Sequence, residues 1–207
     1  SAFPVLPAQD SLYYELLALT AICGELPCVC ADRLTSCKSY RKKVVTSLTH
    51  DKLLRIFSKD HLRGYRLGIC GKHLLRERVP ERFQFYLSGR TDTNSIKSSP
   101  ARRLRLHRIA QTYVTMLNAG TAIYRDEKPP VFVPGGSSPC RIESPAFYDS
   151  REMKELSLEM IKVHGSRMVG SLLTPSRTFA VFNGMDAVPT FDTQIEQRGK
   201  IMLQNIR

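Results

Sequence analysis

Between residues 33 and 108 this 207-residue chain carries 20 lysines and arginines against five acids, more than its whole net surplus of +12. The densest run is Arg41-Lys42-Lys43, with Ser39 and Tyr40 before it and Thr46 after it. A second set, Lys59, His61, Arg63 and Arg66, brackets a polar link, and a third, Arg102, Arg103 and Arg105, opens a later helix. Cations at that density attract a polyanion, because each phosphate they neutralise releases condensed counterions and their summed field steers encounter. An anionic membrane surface would meet the same field. No apolar run approaches the ~18 residues of a spanning helix, however, and no membrane partner is expected.

Other chemistry is thinner. Cys23, Cys28, Cys30 and Cys37 follow a C-x4-C-x-C-x6-C pattern, which is not a regular zinc spacing; small thiols filling gaps between short helices explain it better. No metal or cofactor is expected. Asp186, Glu196 and Lys200 are the obvious constellation for a metal-dependent nuclease, but Glu196 and Lys200 fall on an expected final helix, whereas such sites place an acid and a lysine one residue apart on a strand. Gly135-Gly136-Ser137-Ser138 offers amides to an anion without the strand–loop–helix setting or the lysine of a phosphate loop. A catalytic role is therefore not expected. With no charged-then-apolar leader and a thiol set read as reduced, the expected setting is cytoplasmic.

The elements that must position the basic groups can be read in order. Asp10 or Ser11 caps a helix to about Cys23, ended by Gly24. Pro27 suits the first turn of a short helix to about Leu34. A third helix runs from Ser39 to roughly Leu53, with Tyr40, Val44, Val45 and Leu48 inward. Its first turn is basic, against the preference of the helix dipole, which a second use of those charges would explain. Leu54–Phe57 and Tyr65–Ile69 read as strands joined by the polar link 58–64. Three helices and then a basic ribbon make a winged helix-turn-helix, which would lay the third helix in a DNA major groove and set the hairpin on neighbouring phosphates.

Farther on, 88–99 is polar and aperiodic, and Ser99-Pro100 starts a helix to about Ala119, stopped at Gly120. Its Arg102, Arg103 and Arg105 either add phosphate contacts or pair with acids across a subunit interface, which leaves a homodimer open. The rest, with short strands at 122–124 and 131–133, a helix from Asp149-Ser150 to Met160, a hairpin over 167–182 and a helix from Thr193, reads as a small mixed unit. The expected architecture is α+β: a winged helix-turn-helix over 1–80, a linker over 81–100, and a C-terminal α/β domain over 101–207 for assembly or partner contact.

The helix–helix–helix–wing order over Leu12 to Leu75, with Lys52-Leu53-Leu54-Arg55 leading into Gly64-Tyr65-Arg66-Leu67-Gly68, resembles the start of the replication–relaxation family of Gram-positive mobile elements. Arg102-Arg103-Leu104-Arg105-Leu106-His107-Arg108-Ile109-Ala110 resembles the basic, histidine-containing helix that follows the wing there, with His107 alone in place of a pair. The likeness spans about residues 11–120. It implies double-stranded DNA binding in replication, transfer or transcription regulation of a plasmid or similar element, and names no catalytic residue. A protein-interaction module of the same fold and the nuclease are the competing readings.

Overall fold

The computed structural model describes residues 4–89, 99–129, 141–153 and 168–183. Over these the chain is mixed α+β, with six α-helices and two antiparallel three-stranded sheets. It divides into two compact units, residues 1–115 and 116–207. Among the described residues no helix is long and apolar enough to cross a membrane.

Helix α1, Leu12–Cys23, is capped by Ser11, whose hydroxyl accepts from the Tyr14 amide at 3.2 Å. From Leu16 to Cys23 every side chain is buried. A helix apolar all round belongs at the centre of its unit, and α3, α4, α5 and the first sheet pack on it. Strand β1, Leu26–Pro27, follows and then α2, Cys28–Ala31. The helix expected from Pro27 to Leu34 is therefore shorter, and Pro27 belongs to a strand: it lies at the sheet edge, where a residue without an N–H is tolerated.

Helix α3, Lys38–His50, stops three residues before the expected Leu53. Lys52 takes a left-handed conformation (φ 58°), and the Leu53 amide donates to the Leu48 carbonyl while that of Lys52 donates to Thr49. That is the Schellman ending, built without the usual glycine. Strands β2, Leu54–Lys59, and β3, Leu62–Leu67, pair directly, and β3 also pairs with β1, giving the order β1-β3-β2. The expected seven-residue link is in fact a two-residue turn, Asp60-His61, with φ 52° and 59°, the signs of the tight turn that matches strand twist.

Helices α4, Ile69–Arg78, and α5, Pro80–Leu87, come next, so the segment read as a linker opens with a helix whose Phe83, Tyr86 and Leu87 are buried. Helix α6, Pro100–Asn118, matches its expected span and ends before Gly120 at φ 72°.

The second unit contains β4, Ala146–Asp149, β5, Met168–Leu173, and β6, Thr178–Phe182, in that order in one sheet, with the expected 167–182 hairpin formed by β5 and β6. Ala122 makes only a single bridge, to Ala146, rather than a strand over 122–124. Asp149 ends β4, and its carboxylate accepts from the amides of Arg151 and Glu152. Buried Lys128 donates to Glu152 at 2.6 Å and to the Phe147 carbonyl at 2.8 Å. Burial lowers Lys128 and raises Glu152, each opposed by the other's charge. In place of the helix expected from Asp149-Ser150, Asp149 belongs to β4 and residues 150–152 form a turn. Gly135-Gly136-Ser137-Ser138, Asp186, Glu196, Lys200, the strand 131–133, the expected helix from 154 to Met160 and the helix from Thr193 lie outside the described residues.

Candidate nucleic-acid interface

On α3, Ser39, Lys42, Lys43 and Thr46 are all exposed. Their spacing is i, i+3, i+4 and i+7, which places them on one helix face. Val44 and Leu48 are buried on the other side and seat the helix. The face therefore offers two ammonium groups and two hydroxyls, with no acid among them. Tyr40, expected inward, instead flanks the row at 41% exposure. Arg41 leaves it: its guanidinium bonds Asp32 at 2.6 Å and is mostly covered. The charge is the same as its neighbours', but the helical angle turns it inward.

The hairpin sorts its polar side chains in the same way. Lys59, His61 and Arg63 are exposed at or beside the tight turn, and Arg55, absent from the expected contact set, is exposed on β2. Arg66, expected on a phosphate, is instead buried, with its Nε 2.8 Å from the Glu25 carboxylate and its guanidinium 3.8 Å from the Phe57 ring centre. Arg103 is also withdrawn from the surface. It is fully buried, bonding the same carboxylate through Nη2 at 2.6 Å. Arg102 and Arg105 are half-buried.

Glu25 is the residue that organises these inward cations. It is fully buried between α1 and β1 and accepts from Arg66, Arg103 and, at 2.7 Å, His107. Burial by itself raises a carboxyl, but the bonds from His107, Arg103 and Arg66 outweigh it and hold Glu25 at about 2. No sequence motif marks Glu25, although it is the only charged residue between Glu15 and Asp32. A single acid in an apolar run of that length has to find cations from elsewhere.

Gly64 makes the arrangement possible. A Cβ there would lie 2.6 Å from the Glu25 Oε1 atom. Gly64→Ala is expected to destabilise the protein by about 1–3 kcal/mol, through overpacking against a group that cannot move without breaking its bonds. A urea midpoint equal to that of the parent would show that Glu25 has room to shift.

Among the described residues no group of three or more metal-ligating side chains converges. Cys23 and Cys30 are buried, and burial pushes Cys30 up to about 11. Exposed Cys37 precedes α3 with its sulfur 3.4 Å from the Ser39 hydroxyl, which with the Tyr40 amide lowers its pKa.

No protein-family model, curated protein or solved structure matches this chain.

Proposed function

We propose that residues 1–115 form a winged helix-turn-helix unit that binds double-stranded DNA, with α3 in the major groove and the β2–β3 hairpin on the adjoining backbone. The element order α1-β1-α2-α3-β2-β3, with β1 closing the sheet beside β3, supports the winged-helix assignment. The observation that carries the function is the exposed row Ser39, Lys42, Lys43 and Thr46 on a helix whose opposite side is packed. A helix fits the major groove, ammonium groups suit phosphates and guanine edges, and hydroxyls suit either. Lys59 and Arg63, with the His61 imidazole between them, supply a second charged point on a short, tight turn, which costs little entropy to hold. A role in replication or transfer of a mobile element rests on the family resemblance alone, and the unit is read as non-enzymatic.

Titration of a labelled mixed-sequence duplex at several salt concentrations, with and without Mg²⁺, tests the reading. The expected result is binding that weakens steeply as salt rises, with the duplex left intact. No binding at low salt would overturn it in favour of a protein-interaction module, and Mg²⁺-dependent cleavage would favour the nuclease.

A further inference from the structure

Arg103 belongs to α6 but spends its donors on the hairpin. Nη1 donates to the Lys59 carbonyl at 2.5 Å and Nη2 to the Leu62 carbonyl at 2.9 Å. Lys59 and Leu62 are the last paired residues before the Asp60-His61 turn. The guanidinium therefore ties together the two strand ends from which the exposed Lys59, His61 and Arg63 project. Its Nε faces both Glu25 oxygens at 3.1 Å, and its plane lies 4.7 Å from the Phe57 ring centre, across which Arg66 also packs.

We propose that Arg103 is a positioning residue for the hairpin, clamped by Glu25 so that α6 fixes where the hairpin tip presents its cations to DNA. This rests on the duplex-binding reading above. A planar fork with five donors can serve a carboxylate and two carbonyls together, whereas a lysine ammonium keeps the charge beside Glu25 but cannot span all three. Arg103→Lys separates the two roles.

Two measurements test it. Limited trypsin digestion of the free protein reports the hairpin directly. Arg103→Lys is expected to speed cleavage after Lys59 and Arg63 relative to the other sites, and an unchanged pattern would overturn the proposal whether or not DNA binds. The second is a double-mutant cycle on duplex affinity, pairing Arg103→Lys with a hairpin variant carrying Lys59→Ala, His61→Ala and Arg63→Ala. In the parent, Arg103→Lys should lower the slope of log affinity on log salt by about 1–2, the share of one or two phosphates no longer neutralised. In the hairpin variant it should change nothing. Equal losses in both backgrounds would show a general structural effect and overturn the proposal, as would no loss in either. Failure of the parent itself to bind would instead sink the duplex reading, leaving the digestion result to decide the positioning. If Arg103→Lys lacks a cooperative thermal transition, Arg103→Met, which fills the same space without donors to the Lys59 and Leu62 carbonyls, serves in the same comparisons.

Discussion

Glu25→Gln is expected to cost about 3–5 kcal/mol, the range found when one partner of a buried ion cluster is removed and its counter-charges stay behind. The substitution keeps the shape of the side chain and removes one charge. Arg66 and Arg103, 4% and 0% exposed, then remain buried without the carboxylate that bridges them. With an m-value of about 2 kcal/mol per molar, the urea midpoint should fall by about 2 M. The cost belongs to the stranded cations and does not measure the net worth of the cluster. The pH dependence gives an independent check. The folded carboxyl is held at about 2, below its ordinary 4.5. Its contribution is therefore complete above about 4.5, declines as the pH falls from there, and is gone once the pH has passed below about 2. The parent should accordingly lose stability through that window. Glu25→Gln, with nothing to protonate there, should show a shallower acid slope. Equal slopes in parent and variant would mean that other carboxylates govern acid unfolding.

Helices α1 and α6 are legible in the sequence through long apolar stripes, a hydroxyl cap and a Ser-Pro start, all local signals. Strand β1 has no such signal, because two residues carry no period, and its partner Tyr65 lies far along the chain. The hairpin turn is hidden because Asp60-His61 adopts positive φ without the glycine that normally marks it. The inward arginines are more instructive. Arg63 and Arg66 are three residues apart, and on a strand an odd offset sends them to opposite faces. Both could not lie on one surface, and it is Arg66 that shares the face of Gly64, against which Glu25 packs. Likewise Arg103 is one turn before Leu106 and His107, on the stripe continued by Ala110 and Tyr113, so its inward direction follows from helical period. Charge suggests a surface role for both, and geometry overrides it once an anion is available inside. Only the identity of that anion requires the tertiary structure, since Glu25 is separated from Arg66 by 41 residues and from Arg103 by 78.

The same separation by direction yields the second large effect, on α3. Lys42 and Lys43 carry the exposed row, whereas Arg41, between Tyr40 and Lys42 in sequence, is turned toward Asp32. Replacing Lys42 and Lys43 together by Ala is expected to reduce the salt slope of duplex binding by about 2, at roughly 0.9 for each phosphate left without its lysine. At 0.1 M salt that corresponds to a weakening on the order of 10- to 100-fold. Arg41→Ala should leave the slope nearly unchanged, because its charge is already matched within the protein. Folding is not a confounding factor for the lysines, since exposed substitutions away from caps and core usually stay within about 0.5 kcal/mol. A base-reading lysine and a phosphate-holding one separate further in a sequence-selection experiment: loss of the first relaxes preference at one position, while loss of the second weakens all sequences alike. If Arg41→Ala proves as damaging as the double lysine variant, the contact surface is the Asp32 side of α3, and the row Ser39, Lys42, Lys43 and Thr46 faces water.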